Sequence, residues 1–390
     1  MRTKVKLKGG ISLIVLVITI IVMIILAAAI ILSLSNSGII SKANKAKTDS
    51  DTASLKEYVN TLRAEWELMT TAERETCGSA TFEDYANKKL EENDYKGAVG
   101  ADGEVYSNLN ENARKAIAAG IMLGDEVKYN AVLTEKSYTT DGSERTSTGV
   151  ADSTKAQIVK TNTNGTWKYI GLGEDGNLLI ALDMTGIKDP NYNLTLGDKG
   201  GYLNGPTMLN TVCDALYTVE GKGKAKSMNI EIVNKLLEYN GPKGSYINSS
   251  SIRVGTAEVM MIGEIETKFH ITLKREYVLD GKDLGEYKSD GYTISKTSGS
   301  SIITKDTVRQ NLVYQANWYW LASSCVSAYF SEKDVSFQVR YVYSADVFMN
   351  YMFSSDGRTS NRAFAVRPVV SLTANVQKTT ENGKTVWILS

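Results

Sequence analysis

The segment from Ser327 to Phe364 is dense in Tyr, Ser, Phe, Asp, Asn and Arg. These side chains recognise rather than break bonds: aromatics give rigid contact area, and small polar groups give adaptable hydrogen bonds. The candidate ligand-binding residues are Ser327, Tyr329, Ser331, Ser336, Tyr341, Tyr343, Ser344, Asp346, Phe348 and Asn350. They continue through Tyr351, Phe353, Ser354, Asp356, Arg358, Ser360, Asn361, Arg362 and Phe364. Polar residues interleave the aromatics, and Gly357 interrupts them, a pattern that argues against wholly buried structure. Within the segment Val335, Phe337 and Val339 alternate with Ser336, Gln338 and Arg340, which predicts a strand with one buried face.

The reagents of catalysis are scarce. His270 is the only histidine, set in the alternating run Lys268–Lys274, so no second imidazole completes a zinc site. No G-x-S-x-G elbow and no P-loop occur. Cys77, Cys213 and Cys325 form no C-x-x-C pair and read as small hydrophobes. Gly171, Gly173 and Gly176 fit G-x-G-x-x-G, but a β-like run follows where a dinucleotide site needs a helix. Asp280 and Asp283 sit in polar loop sequence. No catalytic residue, metal or cofactor is expected, and the chain does not read as an enzyme. A surface hydrolase assembled from distant carboxylates is the remaining enzymatic alternative. Lys and Arg total 44 and so do Asp and Glu, which removes the basic excess a nucleic-acid partner needs.

Stepping along the 390 residues, the strongest physical signal lies at the start. Ile11–Leu34 carries no charge and follows Arg2, Lys4, Lys6 and Lys8. That pattern predicts a single-pass transmembrane helix with the basic side inside and everything after Leu34 exported. Ser41–Asp51 is polar. Leu55, Tyr58/Val59, Leu62, Trp66 and Met69 then recur at helical spacing and predict an amphipathic stem. Phe82–Glu91, entered through Thr81, and Glu111–Ala119, stopped by Gly120, predict short helices in a connector. Beyond Leu123 the pattern turns to strands: Lys128–Leu133, then a hairpin of Thr166–Leu172 and Asn177–Asp183 across Glu174-Asp175-Gly176. Thr207–Tyr217 and Asn229–Tyr239 predict amphipathic helices, with Cys213 on an apolar face and Asn229 as N-cap. Ser251–Val254 is strand-like, and Tyr277–Thr304 reads as hairpins and surface loop.

Two resemblances join these elements. Lys8-Gly9-Gly10-Ile11-Ser12-Leu13-Ile14 resembles the processing site of type IV prepilins and pseudopilins, although Val15 stands where that family usually has glutamate. It implies cleavage between Gly10 and Ile11 by a prepilin peptidase, a membrane location and other pilin subunits as partners. Asn317-Trp-Tyr-Trp-Leu-Ala-Ser-Ser324 and Ala365-Val-Arg-Pro-Val-Val-Ser-Leu372 resemble the terminal strands of C-type-lectin-like domains related to formylglycine-generating enzymes. The calcium-lectin motifs Glu-Pro-Asn, Gln-Pro-Asp and Trp-Asn-Asp are absent, so this resemblance implies the scaffold used for binding. Ser327–Phe364 resembles the variable region of proteins diversified by diversity-generating retroelements. Adenine replacement in Asn codons reaches every candidate residue above, but not Glu332, Lys333, Gln338, Met349 or Met352.

The expected architecture is α+β: a transmembrane, long pilin-like helix followed by a C-type-lectin-like mixed α/β head. Its expected parts are a leader (1–10), a membrane helix (11–34), a stem (35–75), a helical connector (76–125) and a binding domain (126–390). The expected function is a cell-surface or pilus-associated binding protein, an adhesin or receptor for an unknown surface protein or glycan. A structural pilin or pseudopilin subunit is the alternative. Trp320 is expected in the core of the binding domain.

Overall fold

The computed structural model describes residues 21, 23, 39–140, 157–239, 246–247, 251–254, 259–260, 287–288, 304–315, 317–329, 334–343, 346–354 and 358–390. Two compact units divide the chain, one of residues up to 97 with 105–108, the other of 98–104 with 109–390. Their boundary falls inside the stretch expected as connector.

The first unit is built on α1 (Ile39–Leu68), followed by α2 (Thr71–Thr76) and α3 (Phe82–Glu92). Leu55, Val59 and Leu62 of α1 are buried, as are Phe82, Tyr85, Ala86 and Leu90 of α3. The three- and four-residue spacing thus lays one stripe against a neighbouring helix. Tyr85 donates to Glu65 Oε2 at 3.1 Å and its ring lies 5.3 Å from that of Trp66. The expected stem does not run on to residue 75. Thr70 and Glu73 form a capping box that starts α2 afresh.

This overturns the expectation of a transmembrane, long pilin-like helix. Among the described residues no helix is long and apolar enough to cross a membrane. The longest N-terminal helix, α1, exposes Lys47, Asp49, Asp51, Lys56 and Glu57, whose desolvation a bilayer core would not tolerate. Of the run 11–34 only Ile21 and Met23 are described, and Gly10 and Ile11 lie outside the described residues. Single-pass anchoring, and the membrane location with an extracellular C-terminal domain that followed from it, are therefore withdrawn.

After a two-residue strand at Ala98–Val99, the second unit forms α4 (Glu111–Ala118), where Asn110 accepts from the Ala113 N–H as N-cap. Then come β1 (Glu126–Val127) and a 3-10 turn over Tyr129–Val132, in place of the longer strand expected at 128–133. The small ribbon β2 (Ser137–Thr140) and β3 (Gln157–Lys160) precedes the hairpin β4 (Trp167–Leu172) and β5 (Leu178–Leu182). Next are β6 (Asn193–Gly197), α5 (Asp198–Tyr217), β7 (Gly223–Ser227) and α6 (Ile230–Leu236). Asn229 caps α6 as expected, accepting from the Ile232 N–H. Two short strands, β8 (Tyr246–Ile247) and β9 (Ser251–Val254), and α7 (Thr307–Val313) follow. The chain then makes β10 (Tyr319–Tyr329), β11 (Asp334–Tyr343), β12 (Asp346–Ser354) and β13 (Asn361–Ala365). It ends in β14 (Pro368–Leu372), β15 (Val376–Glu381) and β16 (Lys384–Leu389).

Two sheets result. The first has the order β15-β16-β1-β4-β5-β14-β7, with the last strand of the chain, β16, parallel to β1 (Val386↔Glu126). The second has β8-β9-β10-β11-β12, all antiparallel, and β13 bridges β10 to β6 at its side. Helix α5 packs on strands of both sheets. Gly201 and Gly205, one turn apart, let it come close. A Cβ at Gly201 would stand 3.0 Å from Met352 Sδ, and one at Gly205 would stand 3.1 Å from Leu196 Cδ1. The buried side of α5 is Leu209, Val212, Cys213, Leu216 and Tyr217, so Cys213 is a core residue.

Trp167, Trp320 and Trp387 are fully buried, Trp320 donating from Nε1 to the Leu194 carbonyl at 2.8 Å. Arg367 is also wholly buried. Its guanidinium donates to the Leu182 carbonyl (3.0 Å), the Leu312 carbonyl (2.7 Å) and Tyr319 Oη (2.8 Å). Those acceptors belong to the first sheet, to α7 and to the second sheet.

Arg367→Ala should cost on the order of 3–5 kcal/mol, because it leaves a cavity and orphans two buried carbonyls. Arg367→Lys should recover only part, since an ammonium cannot reproduce the three-way fork. Urea midpoints of the two variants measure this; an unchanged midpoint for Arg367→Ala would remove the clamp from the account.

Burial raises the phenol pKa of Tyr129, Tyr217 and Tyr319 above the ordinary value, Arg367 opposing the shift only in part at Tyr319. A pKa raised on folding contributes stability that is complete below the unfolded value of about 10 and is lost as pH climbs through the folded values. Urea midpoints should therefore fall between pH 9 and about 12, with tyrosinate absorbance from these groups emerging only as the chain unfolds.

Candidate binding face

Strand alternation explains what the Asn317–Ser324 stretch does. Tyr319 points to one side and joins the Arg367 clamp, donating its own proton to the Val313 carbonyl at 2.8 Å. Trp318 and Trp320 point to the other. There they meet β11, β12 and β13, whose register sets Tyr341 opposite both Trp320 and Phe348. Six rings converge. Trp318 lies 4.1 Å from Tyr343, 5.2 Å from Phe364 and 6.1 Å from Tyr341 between centroids. Tyr341 stacks on Phe364 at 4.7 Å and on Phe348 at 5.6 Å, and Trp320 underlies Phe364 at 4.5 Å.

Exposure grades across this cluster. Trp320 and Phe364 are buried, Tyr341 and Phe348 are half-buried, and Trp318 (42%) and Tyr343 (39%) reach solvent. The result is an aromatic shelf whose outer rings rest on a fixed inner layer. Trp318 is held by its backbone: its carbonyl accepts from the Ala365 N–H at 3.0 Å, and the neighbouring Asn317 donates to the Met184 carbonyl at 3.1 Å. Burial raises the Tyr341 phenol pKa, outweighing the nearby Arg362 cation, so the hydroxyl stays protonated at neutral pH. Arg358, Asn361 and Arg362 are exposed on the adjoining chain, and Tyr351 (39%) is exposed on β12.

The sequence-predicted residues divide five ways. Tyr341, Tyr343, Phe348 and Phe364 come together in the shelf, while Asn350, Tyr351, Arg358, Ser360, Asn361 and Arg362 lie on β12, β13 and the chain between them. Ser327 and Tyr329 are placed on β10 opposite Ser336 and Asp334, and Asp346, Phe353 and Ser354 are placed on β12 opposite Tyr343, Phe337 and Ser336. Ser331, Ser344 and Asp356 lie outside the described residues, as does His270. Ser336 is 7% exposed, so it is not presented to solvent. The expectation of one buried face on β11 is corrected there: Ser336, Gln338 and Arg340 are buried as thoroughly as Phe337 and Val339. Among the side chains described on this strand, Tyr343 at its end is exposed and Tyr341 half-buried.

Trp318 was missed. In sequence it reads as part of a core-forming flank with Tyr319 and Trp320. The available signal was parity: a residue two before a core tryptophan shares its side but lies one pleat nearer the sheet's end. Among the described residues no three potential metal ligands gather. Comparisons of this chain with protein-family models, curated proteins and solved structures found no match.

The gradient predicts unequal tolerance. Tyr343→Ala and Tyr351→Ala should stay within about 1 kcal/mol of the parent. Phe364→Ala should cost roughly 3–5 kcal/mol, as a deep-packed ring does. Thermal melts of the three variants read this directly, and equal losses for all three would deny the layering.

Proposed function

We propose that the second unit is a ligand-binding domain without catalytic activity, whose recognition face is the aromatic shelf and the Arg/Asn-bearing chain beside it. The shelf carries the reading: exposed Trp318 and Tyr343 over a rigid inner layer give contact area without much ordering entropy on binding. Trp, Tyr and Arg are the side chains that dominate protein interfaces when clustered this way. A protein surface is therefore the ligand class favoured, with a glycan as the other outcome of a screen. The lectin-like resemblance of the Trp-Leu-Ala-Ser and Val-Arg-Pro-Val segments supports the same reading. So does the retroelement resemblance, under which this face changes while its scaffold stays.

Two measurements test it. The full chain on protein and glycan arrays should give saturable ligands whose affinity falls at least about tenfold, or 1.4 kcal/mol, in Trp318→Ala/Tyr343→Ala. Ligands unaffected by that double change would place recognition elsewhere. Sequencing the locus in sibling isolates should find substitutions concentrated in 327–364 and sparse at Trp320 and Arg367; an even spread along 126–390 would end the diversification reading.

A further inference from the structure

A second feature shares no lining residue with the shelf. Two pockets of about 480 and 500 Å³ meet at Asp183 and Thr185, which line both. Each is of the size that small-molecule sites have. Their walls are tied in place by hydrogen bonds. Asn162 is 4% exposed; its N–H donates to Tyr217 Oη at 3.1 Å and its Oδ1 accepts from the Asn164 N–H at 3.0 Å. Asp183 donates its N–H to the Thr166 carbonyl at 2.8 Å and accepts from the Thr185 N–H at 2.9 Å. Gln315, 5% exposed, accepts from the Met184 N–H at 2.6 Å in the other lobe. The cleft is thus preformed, walled by the loops before β4 and after β5 and, in the second lobe, by Lys168 of β4 and by α7.

Its chemistry narrows the ligand. In the first lobe Ile187 is the only aliphatic side chain; amides, hydroxyls, carboxylates and an amine make up the rest, apart from two glycines. An apolar ligand would offer no partner to the donors and acceptors of those groups that the wall leaves unmatched. Charges balance across the two lobes, Asp183 and Asp189 against Lys188 and Lys168, so neither a phosphate nor a polycation is favoured. Tyr192 adds a flat ring and a hydroxyl; burial, then the carboxylates of Asp189 and Glu135, keep that hydroxyl protonated. The second lobe adds Asn311 and Gln315 amides above Val308 and Leu312. Dense mixed donors and acceptors with a few apolar patches match a molecule that has hydroxyls around its rim and C–H faces. Two similar lobes joined at one ridge match two such rings.

We infer that this cleft is a carbohydrate subsite for an uncharged disaccharide or longer chain, one ring per lobe, with Asp183 and Thr185 hydrogen-bonding hydroxyls beside the linkage. It extends the binding reading to a second site and does not depend on the shelf. The test is saturation-transfer NMR and calorimetry on the full chain with maltose, cellobiose, lactose and chitobiose, and glycerol as control. At least one disaccharide should bind saturably, should outcompete glycerol, and should weaken at least tenfold in Thr185→Val and in Asn164→Ala. Trp318→Ala should leave it unchanged. Thr185 and Asn164 are exposed, so both variants should fold, and equal melting temperatures would verify it. No saturable binding by any of the four sugars overturns the inference. So does binding indifferent to both cleft variants, or binding lost in Trp318→Ala, which would instead assign the sugar to the shelf.

Discussion

The guanidinium of Arg367 is the interaction on which the second unit depends. Removing a cation from water costs several kcal/mol unless its hydrogen bonds are remade, and among the described residues no carboxylate pairs with it. The charge is held by the Leu182 and Leu312 carbonyls, by Tyr319 Oη and by the Tyr319 ring, 4.7 Å from the guanidinium carbon. These partners come from β5, from α7 and from β10. A planar fork with fixed donor directions accepts one arrangement of those three elements. Its main contribution is therefore geometric: the two sheets have one way to sit that satisfies it. The backbone takes part as well, since the Arg367 carbonyl accepts from the Met228 N–H at 2.9 Å between β7 and α6.

From that clamp the placement of the recognition face follows by parity. Tyr319 is drawn inward to Arg367, so its neighbours Trp318 and Trp320 must face the opposite side of β10. Trp320 is covered by Phe364 because β13 pairs with β6 there, Phe364 opposite Leu194. Trp318 lies beyond that cover and stays half in water. One buried arginine thus sets the side that both tryptophans take, and the cover of Phe364 makes Trp320 core and leaves Trp318 at the surface.

Periodicity made the local elements legible wherever one face alone carries the signal. The stripe on α1, the caps Thr81 and Asn229, and the β4–β5 hairpin all read correctly because short-range chemistry specifies them. Helix α5 was read nine residues too short at its start, since Gly200, Gly201, Gly205 and Pro206 are poor helix formers. Close approach to β6 and β12 is what makes those glycines useful, and that is a tertiary fact. Strand β11 misled for a similar reason: alternation of Ser336, Gln338 and Arg340 with apolar residues implies a wet face, yet packing buries both sides. The apolar run 11–34 carried the strongest one-dimensional signal of all, but the described helix that follows it is too charged to continue a membrane span.

The shelf also bounds how far such a face can vary. A position is free to change when its side chain contributes contact area and little burial, as at Tyr343, Tyr351 and Arg362. Phe364 is different. At 6% exposure it touches Trp318, Trp320 and Tyr341, so a smaller residue there would loosen the floor under the outer rings. Asn361 instead constrains its partner: Gly197 faces it in the register, and a Cβ at that glycine would collide with the asparagine side chain. Variation along β13 is therefore graded by depth even though Asn361, Arg362 and Phe364 look equally replaceable in sequence. A face that must change while its scaffold persists has to place the change on the outer layer; the Tyr319–Arg367 contact fixes the side on which both layers lie, and the cover of Phe364 over Trp320 separates them.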